Sequence, residues 1–207
     1  MSTNPERRGA LIAWSLYDWA TSAYAALIQT FLFPAYFARA IAPDAATGTV
    51  WWGNVMGLAG LAIAVLAPIL GALADRGGHR RLLLALLTLI NVLATAALWT
   101  VRPDADFALR ALVLAGGGKG ALEPAFVFYN AQLADLAAPE RIGRWSGWAW
   151  GLGYLGGLAC LVLALLGFVQ ATPPPFGLDP VAAEPIIDRV RALLSGKASV
   201  VGDGPDD

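Results

Sequence analysis

Five long apolar runs separated by short polar links set the pattern of the chain, at about residues 11–37, 50–74, 82–101, 107–136 and 145–169. Each is long enough to cross a bilayer as a helix of roughly 20 residues. Between the second and third runs, Gly71 to Leu83 reads GALADRGGHRRLL. Asp75, Arg76, His79, Arg80 and Arg81 cannot share hydrocarbon at tolerable cost, so this link lies in water at a membrane face and its flanking runs form a hairpin. The pattern predicts an all-α polytopic membrane protein. Its five transmembrane helices occupy 1–169 and an extramembrane tail occupies 170–207. Within that tail, 186–194 reads as one short amphipathic helix, too short to span, and the Gly- and Asp-rich stretch from Ser195 reads as disordered.

Polar residues inside the runs are the next signal. In the first run Asp18, Ser22, Ala25 and Gln29 recur at helical spacing and share one face, with Thr21 beside it. Counted from Leu11, Asp18 lies about 10 Å into the run. An ionisable group at that depth is a candidate for a substrate or proton pathway, or it ties the first helix to a neighbour near the membrane face. Pro34 is expected to kink the far end. In the fourth run Lys119 and Glu123 stand one turn apart, Pro124 follows, and Asn130 returns to the same face. This group reads as part of a pathway or as a structural ion pair. Asn91 and Thr95 in the third run are expected to bond a neighbouring helix.

Glycines mark close approaches. Gly53, Gly57 and Gly60 begin a seam of small residues along the second run that continues to Gly71. Gly147 with Gly151, and Gly153 with Gly157, have the spacing that lets membrane helices approach backbone to backbone. Trp14, Trp51, Trp52, Trp99, Trp145 and Trp148 fall near the ends of runs, as interfacial belts require.

Composition agrees with a membrane protein and narrows the chemistry. The chain is 57% hydrophobic and 14% charged, with a net charge of -1, so nucleic-acid binding has no electrostatic support. One histidine, one cysteine (Cys160) and scattered carboxylates give no metal constellation, and no cofactor is expected. No set of nucleophile, base and orienter lies in an aqueous link, so the chain does not read as an enzyme. The glycines at 116–120 around Lys119 do not make a phosphate loop, because Val113 and Gly120 occupy its first-glycine and magnesium-ligand positions. The first run is too long for a signal-peptide core and holds Asp18 and Gln29, so it is read as a retained span. Seven arginines (7, 8, 76, 80, 81, 141, 144) fall on one side of this topology and three (39, 102, 110) on the other, which places the amino terminus in the cytoplasm.

The link at 71–83 resembles the loop between helices two and three of the major facilitator superfamily. Gly71, Leu73, Ala74, Asp75, Arg76, Gly78, Arg80 and Leu83 fit its pattern, and His79 stands where a base is usual. Further segments, SLYDWATSAYAALIQTFLFPAYF at 15–37, VFYNAQLADLAAPERIGRWSGWAWGLGYLGG at 127–157 and FGLDP at 176–180, are similar to the vacuole-effluxer-like branch. That branch is named for autophagy-related amino-acid effluxers of fungi and is also found in bacteria. The resemblance covers roughly residues 10 to 183 and departs after about 185, where a sixth helix is due.

It implies a secondary transporter of small solutes in the bacterial inner membrane, built from about twelve helices in two halves. Amino-acid export and proton coupling stay open. Gly71, Asp75, Arg76, Gly78, Arg80 and Arg81 would form its conformational-switch loop. The fold implied is an incomplete amino-terminal half, and the chain is expected to be a truncated fragment, not transport-competent alone and missing its carboxy-terminal half as partner. The alternative is a small membrane interaction or structural subunit that moves nothing. Lipid bilayer and a small solute are the other partners expected, with no nucleic acid.

Overall fold

A computed structural model describes residues 8–75 and 79–169 of the chain. They contain helix and no strand. The first helix, α1 (Arg8–Tyr24), runs into a π-helical turn (Ala25–Thr30), a short α2 (Leu32–Tyr36) and a second π turn (Phe37–Ile41). Four longer helices follow: α3 (Ala45–Asp75), α4 (Arg80–Ala97), α5 (Ala108–Leu136) and α6 (Ile142–Ala164), the last extended by a π turn at Leu165–Val169. Ala45–Ala72, Arg80–Thr100, Ala105–Leu136 and Pro139–Gly167 are long and apolar enough to cross a membrane. The path from α1 to Ile41 is also apolar but is interrupted, and it is not among these four. The molecule is an all-α polytopic membrane protein. The chain resolves into two compact units, Met1–Leu161 and Val162–Asp207. The second is described only through the end of α6 and its π turn, and the expected amphipathic segment at 186–194 and disordered tail lie outside the described residues.

The first pass is not the single helix that its apolar pattern suggests, and Pro34 accounts for the difference. A proline ring clashes with the carbonyl four residues before it, here that of Thr30, and brings no N–H to bond it. The chain accommodates this by widening the preceding turn. Phe31 N donates to the Ala26 carbonyl five residues back at 3.0 Å, and at Phe31 the backbone bends to φ -112° before α2 begins. Kinks of this kind follow from such an interruption of the regular ladder. Pro68, by contrast, sits inside an unbroken α3.

The start of α3 is fixed by Asp44. Its carboxylate accepts from the Thr47 amide at 2.9 Å and from the Thr47 hydroxyl at 2.6 Å, satisfying one of the orphan donors of the first turn. Gly48 allows α3 to pass close to the preceding turn, since a side chain there would stand 2.7 Å from the Ala38 Cα.

α5 is the centre of the bundle and packs most closely against α3 and α4. Half of its most apolar stretch is buried within the chain, against none of the most apolar stretch of α3, so that part of α3 presents its surface to lipid. Two apolar clusters hold α5 near its ends. Phe37, Ile41 and Trp52 close over Ala108, Ala111 and Leu112 at one end, while Leu11 and Trp14 pack on Tyr129 and Leu133 at the other.

These clusters correct the interfacial belt. Trp14 and Trp52 are buried, and Trp14 lies stacked on Tyr129 with its Nε1 donating to the Tyr129 carbonyl at 2.9 Å. Trp99 and Trp148 are exposed as a belt requires.

Candidate functional site

Asp18 lies on the side of α1 that faces α6. A cleft of about 410 Å³ opens there, walled by Asp18, Ser22, Ala25, Ala26, Thr30 and Phe31 on one side. On the other stand Trp150, Gly153, Tyr154, Gly157, Leu158 and Leu161 of α6. Glycine at 153 makes the approach possible: a Cβ there would lie 2.8 Å from Asp18 Oδ2 and 2.9 Å from Ser22 Oγ. Gly157 meets the Ser22 carbonyl and the Ala26 methyl at ordinary contact distance, and the Trp19 indole lies against Gly156. The α1–α6 seam is thus built on Gly153, Gly156 and Gly157. Gly147 and Gly151 face open space, as do Gly53, Gly57 and Gly60 of α3, so those positions do not close on another helix among the described residues.

The hydroxyls around Asp18 are committed to the backbone of α1. Ser22 Oγ donates to the Asp18 carbonyl at 2.8 Å, and Thr21 Oγ1 reaches the Tyr17 and Asp18 carbonyls at 3.0 and 3.2 Å. Among the described residues no donor is bonded to the Asp18 carboxylate. It is half-buried and open to the cleft, a position that can take a proton or the positively charged group of a solute.

The π turn changes which residues share this wall. In a regular helix Gln29 would follow Ala25 on the Asp18 face. In a π turn the repeat is five, so Thr30 takes that place, and it is Thr30 that lines the cleft. Gln29 instead stands beside the Tyr24 hydroxyl, on which the charge of Glu123 also acts.

That hydroxyl belongs to a second polar junction, within the α4–α5 pair. Tyr24 Oη donates to the Ala115 carbonyl at 3.1 Å, and Asn91 Nδ2 of α4 donates to the Gly118 carbonyl at 2.9 Å. Both side chains crowd the same glycine: a Cβ on Gly118 would stand 2.6 Å from Tyr24 Oη and 3.4 Å from Asn91 Nδ2. Asn91 therefore bonds a neighbouring helix, whereas Thr95 bonds the Asn91 carbonyl of its own helix. One turn along, Lys119 Nζ and Glu123 Oε1 form an ion pair at 2.9 Å. The pair does not line the Asp18 cleft, and Asn130 is exposed on α5 away from it.

In the predicted switch loop, Gly71 and Asp75 complete α3, while Arg76 and Gly78 lie outside the described residues. Arg80 opens α4 and pairs with Asp135 at the end of α5, Nη1 to Oδ2 at 2.8 Å, which ties two links of one face together. Arg81 is exposed.

Sequence reasoning passed over Tyr17, Tyr24, Tyr129, Trp150 and Tyr154. Tyr17 stacks on Tyr129 at 5.0 Å between ring centroids, and its hydroxyl meets Thr88 Oγ1 at 2.8 Å, linking α1 to α4 and α5. Trp150 and Tyr154 pack edge to face at 4.9 Å. The available signal was spacing: Tyr17 and Tyr24 are seven apart on α1, and Trp150 and Tyr154 are four apart, interleaved with the glycines at 153 and 157.

No family model matches the chain, and no solved structure matches it. The chain is similar to a protein of Bacillus subtilis (strain 168) described as an uncharacterized MFS-type transporter, YxiO. The two are 31% identical over 156 residues, a match that takes in 74% of this chain and 36% of that protein. The chain thus spans about a third of the length of this curated relative.

Proposed function

We propose that the chain is an amino-terminal portion of a major facilitator carrier that moves small solutes, and that the Asp18 cleft forms part of its solute or proton route. The observation that carries the reading is the Asp18 carboxylate, exposed to a cleft of about 410 Å³ between two membrane-spanning helices and bonded to no donor among the described residues. A carboxylate kept at that depth without a partner costs stability, and a route for a proton or a cationic group gives it a use. The similarity to an MFS-type transporter supports the family, as does the Gly-x-Leu-Ala-Asp-Arg-x-Gly order at 71–78.

In this reading the protein is a transporter and not an enzyme. It lies in the bacterial inner membrane with the arginine-rich face, bearing Arg8, Arg80, Arg141 and Arg144, toward the cytoplasm. The relative extends well beyond the matched segment, and alternating access needs two bundles about a central site, so a second bundle completes the carrier. The amino-acid class is the first solute to try. Lys119 and Glu123, on α5 and outside the Asp18 cleft, would then belong to another part of the same route. The second reading, a membrane subunit that packs against a partner and moves nothing, draws on the open glycine seam of α3.

Flux of a panel of radiolabelled amino acids into inverted membrane vesicles from the native host separates the two. Transport of at least one, abolished by Asp18→Asn at unchanged abundance in the membrane, is the outcome expected of the carrier. Identical flux from wild type, Asp18→Asn and a deletion strain supports the subunit.

A further inference from the structure

Three arginines line one cleft where α1 and α6 begin. Arg8 opens α1, Arg141 closes the single turn Pro139–Arg141, and Arg144 lies in the first turn of α6. With Trp145 and Trp148 they line a cleft of about 440 Å³. Residues far apart in the sequence meet here, so a charge bias in individual links does not by itself produce the cleft. The two indoles differ in role. Trp145 packs partly against the cluster of Leu11, Trp14 and Tyr129, which fixes its position, while Trp148 is 61% exposed and points away from the core.

The depth of the cleft follows from its elements. Both helices begin at it, and α6 runs from there into an apolar span long enough to cross a membrane, which puts the cleft at the level of the lipid headgroups, where tryptophan rings are favoured. Arginine forks match the oxygens of phosphate in pairs, and basic pockets between membrane helices are a recurrent seat for acidic headgroups. The Arg80–Asp135 bridge shows a contrasting use of arginine, a bond from helix to helix.

We propose that this cleft binds the phosphodiester headgroup of an anionic phospholipid, with Arg8 and Arg144 as its ligands, Trp148 against the glycerol and upper acyl region, and cardiolipin, with two phosphodiesters, as the best match to that pair of guanidinium groups. The site is independent of the Asp18 cleft and of whether the protein transports anything. Bound lipid would join the starts of α1 and α6, the two helices that wall the Asp18 cleft, so its occupancy would stabilise that pair.

The test titrates the purified full chain in neutral detergent with acyl-tagged cardiolipin and, separately, with acyl-tagged phosphatidylcholine. Cardiolipin is expected to bind tighter than phosphatidylcholine by about tenfold or more, and the Arg8→Gln/Arg144→Gln double variant to lose about that factor. Arg8→Lys/Arg144→Lys, which keeps charge without the fork, is expected to fall between the two. Arg102→Gln/Arg110→Gln, with the same charge change elsewhere, is expected to bind as wild type does. Circular dichroism melts of every variant establish that they are folded. Equal affinity for the two lipids, an unchanged Arg8/Arg144 variant, or an equal loss in the Arg102/Arg110 variant overturns the proposal. Displacement of the lipid by excess inorganic phosphate also overturns it, in favour of a soluble anion.

Discussion

Two polar side chains of α1, Tyr24 and Asp18, are accommodated by the same device and put to opposite use. Each lies over a glycine of a neighbouring helix, Gly118 of α5 and Gly153 of α6, at a distance that leaves no room for a Cβ. Around Gly118 the junction is closed. Tyr24 and Asn91 each donate to an α5 carbonyl, and Tyr24 is buried. Around Gly153 the junction is open, and the Asp18 carboxylate faces a cleft with no donor bonded to it among the described residues. A membrane protein gains little from apolar burial between helices, because lipid is as apolar as leucine. Close approach and hydrogen bonds do the holding instead. The closed junction is therefore where stability is expected to reside, and the open one is where a polar group has been left available for function.

The largest effect expected from that contrast is at the closed junction. Gly118→Val forces side-chain atoms into the space of Tyr24 and Asn91, and a loss of about 1–3 kcal/mol is expected from overpacking of this kind. The measure is the thermal unfolding midpoint in detergent, and an unchanged midpoint would mean that the two sides are equally loose. Removing one hydrogen bond is milder. Tyr24→Phe and Asn91→Ala are each expected to cost about 0.6 kcal/mol, and up to roughly 1.7, the span found for hydrogen bonds between membrane helices. Asp18→Asn, at the open junction, is expected to leave the midpoint unchanged or to raise it, since no bond is lost and a half-buried charge is removed. A destabilisation as large as that of Tyr24→Phe would remove the distinction between the two sites.

The smallest effect lies outside the membrane, at the start of α3. The Thr47 hydroxyl, then the Thr47 amide, donate to Asp44 and hold its carboxyl below the usual carboxylate range. The folded value is thus lower than the unfolded one. The stabilisation is fully present above the ordinary value of about 4 and is lost as pH falls through the depressed folded value. Protection factors at residues 46–48, taken relative to the intrinsic exchange rate at each pH, are expected to be constant from neutral pH down to about 4 and to fall below it. Asp44→Asn should abolish that dependence, and a change centred near neutrality would assign it to another group.

Some of this was legible in the sequence and some was not, for reasons that differ by residue. Charged links such as 71–83 are legible because hydrocarbon excludes Asp75, Arg80 and Arg81 together, and the long runs between such links become α3 to α6, with ends that differ by up to five residues. Asn91 could be read as a bond to another helix because a polar amide in a nearly pure hydrocarbon span needs a partner. Gln29 could not be assigned correctly, because the expectation extrapolated a 3.6 period through a turn that Pro34 has widened, and Thr30 takes the place. Trp14 and Trp52 mark the ends of runs in both readings, yet position along a helix does not give direction around it, and both turn inward. The aromatic wall of Trp150 and Tyr154 was hidden for a related reason: it exists only where α6 meets α1, and Gly153 and Gly157 gave the approach without the partner.

The most direct test of the open junction is the water accessibility of position 18. In a Cys160→Ala background, Asp18→Cys is treated in native membrane vesicles with a hydrophilic thiol reagent, beside Thr47→Cys in the exposed first turn of α3 and Val65→Cys on its lipid-facing surface. Reaction at position 18 comparable to that at position 47 is the expected result. Inertness matching position 65 would contradict a polar cleft at Asp18.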